Sequence, residues 1–203
     1  MSPSIRLCFA VSFSLLFASV FAFGSVTVRR VDFDRVDASI GKGDWLECAI
    51  ELEVRRDASD ANRLRPDYVD DLSVELMLGF ESSARGQDSF EFYHSEAAPV
   101  SLKEGRHVVR FYLPPEVVER DRIGSEAHSF LIRLHRSGSL AGEFVSRQLE
   151  RVQVKTSFLR RFESESSRND GILLPQFKTP FRSAYGRDTP SFKDVGIAGN
   201  NEG

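Results

Sequence analysis

From Trp45 to Val54 the chain alternates with a period of two. Leu46, Cys48, Ile50, Leu52 and Val54 fall on one side of an extended backbone, and Glu47, Glu51 and Glu53 on the other, with Ala49. That period predicts a strand with one dry face and one wet face. A half-wet strand needs a second layer over its dry face, and antiparallel sandwiches provide one.

Similar strands follow along the chain. Ser25 to Val36 carries Val26 and Val28 on one face, then Val31 and Phe33 with the parity moved by one. The shift at Arg29-Arg30 predicts a bulge. Gly41-Lys42-Gly43-Asp44 forms a turn into the next strand. Leu72 to Phe80 alternates again, with Met77 as an apolar exception on the polar side, and Phe90 and Phe92 alternate with Glu91 and Tyr93. After the turn Lys103-Glu104-Gly105-Arg106, His107 to Leu113 has Val109, Phe111 and Leu113 on one face and Val108 and Tyr112 on the other. Such a strand is expected to be central or covered on both sides. Glu116 to Arg122 reads as a short helix entered through Pro115 and stopped by Gly124. Phe130, Ile132 and Leu134 form the next strand, and a hairpin turn is read at Ser137-Gly138-Ser139 and Gly142. Val152, Val154 and Phe158 are read as the last strand. Strands at this spacing with little helix predict an all-β, immunoglobulin-like antiparallel β-sandwich.

The pattern changes after Phe162. Glu163 to Arg168 is polar and serine-rich, and Asn169-Asp170-Gly171 is a turn. Phe177, Phe181, Tyr185 and Phe192 then recur among Pro175, Pro180 and Pro190. Proline at that density excludes a long helix or a central strand. The expected division is a signal peptide at 1–24, a sandwich at 25–160 and an extended C-terminal tail, partly disordered, at 161–203. The tail is expected to dock on its own sandwich as far as Phe181, returning through the turn at 169–171, with docking on a partner by strand addition as the alternative; beyond Phe181 it is expected to be disordered in isolation and to order on a partner.

The N-terminus changes the picture of destination. Arg6 is the one charge before Arg29, Leu7 to Phe23 is nearly continuously apolar, and Ala22-Phe23-Gly24 offers small residues for cleavage before Ser25. This is the pattern of a secretory signal, so the protein is expected to be exported, periplasmic or associated with the cell surface, with no stable membrane span after cleavage. Of the two cysteines, Cys8 lies within the signal, so no internal disulfide is expected in the mature chain. Cys48 is expected to be a buried small hydrophobe. A net charge of −3 argues against a nucleic-acid partner.

Candidate chemistry is sparse. The aspartates between Arg55 and Asp71 lack the spacing and glycine of a calcium loop. The histidines at 94, 107, 128 and 135 are not at metal-ligand spacing and read as surface or strand-end residues. Gly138-Ser139-Leu140-Ala141-Gly142 is not the Gly-x-Ser-x-Gly of a nucleophile elbow, and phosphate-binding glycine motifs are absent. No catalytic, metal or cofactor residues are assigned, and the expectation is a protein that is not an enzyme.

Three stretches carry a resemblance: Asp44-Trp45-Leu46-Glu47 with its strand, Val109-Arg110-Phe111-Tyr112-Leu113-Pro114-Pro115-Glu116, and Asn169-Asp170-Gly171-Ile172-Leu173-Leu174-Pro175-Gln176. They resemble a family of exported proteins of Akkermansia-type and related verrucomicrobial bacteria, described as pilus-like, with an immunoglobulin-like sandwich, and encoded near type IV pilus assembly components. The signal segment lacks the boundary of an N-methylated pilin, so the resemblance implies an accessory part rather than the pilus subunit. The function expected on this basis is a non-enzymatic exported interaction module of a type IV pilus-like or secretion assembly, with envelope or pilus-assembly proteins as partners. Phe177, Phe181, Tyr185 and Phe192 are the expected partner-binding residues. The alternative is a secreted carbohydrate-binding module, for which Trp45, Tyr93 and Tyr112 are the candidate exposed aromatics.

Overall fold

The computed structural model describes residues 26–38, 43–56, 67–82, 89–184, 186 and 188–193. The expected signal segment, residues 41 and 42 of the first turn, most of the aspartate-rich stretch and Tyr185 lie outside the described residues.

The described chain is an antiparallel β-sandwich. One sheet has the order β1 (Val26–Asp37), β2 (Asp44–Val54), β7 (Gly105–Leu113), β10 (Leu174–Pro175). The other has the order β5 (Ser89–Ala97), β4 (Leu72–Ser82), β8 (Ser129–Arg136), β9 (Ser139–Val145). A two-stranded ribbon of β3 (Tyr68–Asp70) and β6 (Ser101–Lys103) lies apart from both sheets. The alternation in β2 holds as expected: Leu46, Cys48, Ile50, Leu52 and Val54 are all buried. They belong to one core with Val109, Phe111 and Leu113 of β7 and Val74, Leu76, Leu78, Phe80 and Ile132 of the opposite sheet. The bulge in β1 is present, as a register shift between Val28 and Arg30 against β2.

The helix α1 (Pro115–Arg120) begins with proline at its first turn and carries Arg120 at its end, where a cation meets the negative pole of the helix. The hairpin between β8 and β9 turns on Ser137 and Gly138, both at positive φ, 49° and 78°. Two left-handed residues match the right-handed twist of the flanking strands. Gly142, read as part of that turn, lies inside β9. This strand is absent from the sequence expectation because Gly142 and small residues interrupt its apolar pattern.

The stretch read as the last strand is a helix, α2 (Val152–Glu165). Val152 and Val154 share a strand period over only three positions. Val154, Phe158 and Phe162 recur every four residues, and that longer period is helical. Phe158 and Phe162 are buried with Met77, Phe92, Leu131 and Leu149 in a second cluster, on the outer face of the β5-β4-β8-β9 sheet. The apolar exception at Met77 therefore marks a covered outer face. The helix also runs across position 160, where the sandwich was expected to end, and the chain beyond it forms 3-10 turns at Ser166–Asn169, Gln176–Lys178 and Pro180–Ser183.

Burial corrects the face assigned to β5. Tyr93 was placed on a wet face, but it is fully buried in the main core, packed edge-on to Phe80 at 5.9 Å, and Phe92 points to the helix side. The Tyr93 hydroxyl donates to Asp121, and Arg120 donates to both oxygens of Asp121 at 2.8 and 2.6 Å. Asn169 extends this set by donating to Glu91 Oε2 at 3.1 Å and to the carbonyl of Phe92 at 3.0 Å. These bonds join the end of α1 and the turn after α2 to the edge strand β5. Burial foremost, then the hydrogen bond and charge of Asp121, pushes the Tyr93 hydroxyl well above its ordinary range.

Candidate interaction site

β7 is the strand on which the C-terminal segment is built. Its two apolar faces require covers on both sides, as expected, and the second cover is the chain itself. Leu174 and Pro175 pair antiparallel with Tyr112 and Phe111. Proline is tolerated there because the pairing is at a sheet edge. Tyr112 was read as a wet-face residue; it is fully buried, and its hydroxyl donates to Glu47 Oε2 at 2.6 Å. Glu47 was likewise placed on the wet face of β2 but is buried, with its other oxygen 3.5 Å from Arg110 Nε. The desolvated carboxylate is thus matched by a hydroxyl donor and a guanidinium, as burial of a charge demands.

Phe181 seals this polar pair from water. Its ring stacks on Tyr112 at 4.7 Å and meets Trp45 edge-on at 5.8 Å. The local sequence fixes its position. Thr179 precedes Pro180 and caps the 3-10 turn: its hydroxyl accepts from the Phe181 backbone N–H at 3.1 Å and donates to the carbonyl of Gln176 at 2.7 Å. Buried Gln176 donates to the Phe181 carbonyl at 3.0 Å. A threonine cap followed by proline is an ordinary helical start signal. Here it aims one aromatic ring.

Residues 188–193 stay docked beyond Phe181, where disorder was expected; residues 194–203, which the same expectation covered, lie outside the described residues. The carbonyl of Asp188 accepts from Val108 N–H at 2.9 Å, and that of Ser191 from Val100 N–H at 2.8 Å. Lys193 N–H donates to the carbonyl of Ala98 at 2.8 Å, and Pro99 and Phe192 form a β-bridge. Residues 188–193 therefore bond on one side to β7 and on the other to the 98–100 connection. Phe192 stacks on Phe177 at 5.4 Å, and Lys193 Nζ lies 3.0 Å from Asp71. The reason is backbone supply: β7 and the connection offer free donors and acceptors, and an extended, proline-bearing strand satisfies them without long regular pairing.

Of the residues expected to bind a partner, Phe181 is consumed inside this chain, while Phe177 and Phe192 form a half-buried stacked pair at the surface. The sequence reading did not assign Glu47, Arg110 or Gln176 to this site. The signal that existed was the two-sided pattern of β7. The aromatics named for sugar stacking do not form a row: Tyr93 and Tyr112 are fully buried and Trp45 packs on Phe181.

Two other expectations bear on chemistry. Cys48 is 2% exposed, and burial foremost, with the charges of Glu47 and Asp32, pushes its thiol far above the ordinary range. It is an inert core residue. His94 and His135 sit on strands either side of β4 and converge on one carboxylate, at 3.1 and 3.2 Å from Glu75, with Arg133 at 3.9 Å. The His94 hydrogen bond foremost, with that of His135, holds Glu75 below the usual carboxylate range against the opposing effect of burial. Sequence spacing hid this cluster because cross-strand register, not separation along the chain, assembles it.

No protein-family model matches the chain, and no curated protein matches it. Among solved structures, a crystal structure from Akkermansia muciniphila superposes with a TM-score of 0.65 at 16% identity. The match covers 83% of this chain and 92% of that one. The likeness is one of fold. It extends over most of the sandwich-bearing chain.

Proposed function

We propose that the protein is a non-enzymatic exported interaction module, accessory to a type IV pilus-like or secretion assembly of the cell envelope. The observation that carries this reading is the fold shared with a protein of Akkermansia muciniphila. The three sequence stretches resemble a pilus-like family of the same bacterial group, and all three lie in structured positions. Trp45 and Tyr112 border the docked segment, and Asn169 to Gln176 leads into it. Among the described residues no helix is long and apolar enough to cross a membrane. The chemistry at the candidate site is that of recognition: backbone pairing, ring stacking and one buried ion pair. The half-buried Phe177–Phe192 pair is the surface offered to an envelope partner, since aromatic residues are enriched where proteins meet.

In vivo cross-linking of a tagged chain in its own envelope tests the reading. The expected result is recovery of pilus-assembly or secretion components, reduced by Phe177→Ala with Phe192→Ala, and a mature N-terminus at Ser25. Recovery of the chain as a free secreted monomer, or retention of residues 1–24 in the cytoplasm, overturns it.

A further inference from the structure

The apolar cluster under α2 does not close completely. Between α2, the 3-10 turn Arg147–Leu149 and the outer face of the β5-β4-β8-β9 sheet lies a cavity of about 170 Å³. Its apolar walls are Phe90 and Phe92 of β5, Leu149 of the turn, and Val154 and Phe158 of α2. Gly79 of β4 makes the floor. A Cβ there would fall 2.8 Å from Ser129 Oγ, 3.0 Å from the Phe158 ring and 3.3 Å from the Phe92 ring. The missing side chain therefore lets a hydroxyl and two rings converge on one spot. Ser129 lines the cavity and is 3% exposed, and its hydroxyl has no hydrogen-bond partner among the described residues. A buried hydroxyl in that state is destabilising, and a ligand group that bonds it removes the penalty.

Arg161 stands at the mouth. Its guanidinium lies over the Phe90 and Phe92 rings, 5.0 and 5.4 Å from their centroids. Its Nε donates to Glu165 at 3.1 Å, and its two terminal nitrogens have no partner among the described residues. That fork has the planar geometry that takes a carboxylate through two parallel hydrogen bonds. No carboxylate is among the described residues that line the cavity. The two that reach lining residues are engaged there, Glu165 by Arg161 and Glu81 by His128 Nδ1 at 2.8 Å.

We propose that this cavity binds a small aromatic carboxylate bearing a ring hydroxyl, of the hydroxyphenylacetate type. A cavity of about 150 Å³ with apolar walls takes a benzene-sized guest, so one ring fills the space between Phe92, Phe158 and Leu149. Phe92 already meets Phe158 edge-on at 5.7 Å. An aromatic guest continues such edge-to-face contacts, which an alkyl chain of equal size does not offer. The ring hydroxyl bonds Ser129 on the floor, and the carboxylate bonds the Arg161 fork at the mouth. An amine in the carboxylate's place would face a like charge. The inference does not depend on the pilus-related reading.

Isothermal titration calorimetry of the purified chain, as processed by the cell, with 4-hydroxyphenylacetate tests it. The expected result is one saturable site per chain with a dissociation constant of order 0.1 mM, which a ligand of about eleven non-hydrogen atoms can reach. Tyramine, the same ring with a cation, should bind about tenfold more weakly or not at all. Arg161→Gln, at an exposed side chain, should weaken the acid about tenfold and close its gap to tyramine. Ser129→Ala should abolish the preference for the hydroxy acid over phenylacetate. Intermolecular nuclear Overhauser effects from the ligand ring to the Leu149 and Val154 methyls locate it, and these, like the comparison with tyramine, need no variant. Absence of saturable binding, equal affinity for the acid and tyramine, indifference to Arg161→Gln, or Overhauser effects to methyls elsewhere overturns the proposal.

Discussion

Removing the Phe181 ring should undo the docked segment. Phe181 is 7% exposed, stacks on Tyr112 and abuts Trp45. Phe181→Ala loses burial worth about 2 kcal/mol and a ring pair worth about 1 kcal/mol. It also opens water to the Glu47–Arg110–Tyr112 set, whose pairing was made in a desolvated place. A total near 3 kcal/mol is the low end of measured Phe-to-Ala costs, as suits a site at the rim of the fold. The assay is built into the chain, because Trp45 is its one tryptophan and lies 5.8 Å from the deleted ring. Native emission should shift to the red, and the urea midpoint followed by far-UV circular dichroism should fall by the amount that a loss of about 3 kcal/mol implies. Phe177→Ala, at the half-buried stack with Phe192, should cost under about 1 kcal/mol and leave Trp45 emission unchanged. If both variants behave alike, or if Phe181→Ala leaves emission and midpoint untouched, the segment is not a structural part of the sandwich.

Other outcomes follow from single environments. Ile50→Asp places an unpaired carboxylate in the core and should prevent folding, because that cost is several kcal/mol, on the order of a whole domain's stability; Glu51→Lys, on the outer face beside Arg106, should be soluble and folded by circular dichroism. Cys48 should resist a thiol reagent in the native protein and react at once in denaturant; fast native labelling refutes the burial assigned to it. Glu75 has a folded pKa below its unfolded value, so it contributes stability that is fully present above about pH 4.5 and is lost as pH falls through the depressed folded value. Glu75→Gln should therefore flatten the acid limb of a melting-temperature profile while lowering its plateau at neutral pH; an unchanged acid limb would sink the assignment.

Where an element is regular and half-buried, the chain announces it. The period of two in Trp45–Val54, the parity slip at Arg29–Arg30 and the two-sided His107–Leu113 all reappear as β2, the β1 bulge and the covered β7. The misreadings of Glu47 and Tyr112 share one physical cause: that part of the outer face is covered and not wet. Strand alternation assigns faces relative to each other, and it takes a second observation to say which face meets solvent. Met77 and Tyr112 were that observation, since an apolar residue on a polar side is affordable only under a cover. One lies under α2 and the other under Phe181. The covering elements were hard to see because each is irregular by design. α2 has an apolar stripe confined to a few positions, and its first two valines imitate a strand. The C-terminal segment has a two-residue strand, capped 3-10 turns and isolated backbone bonds, none with a period to detect. β9 was missed because Gly142 and small residues interrupt its apolar pattern and a register shift against β8 between Leu134 and His135 breaks its alternation.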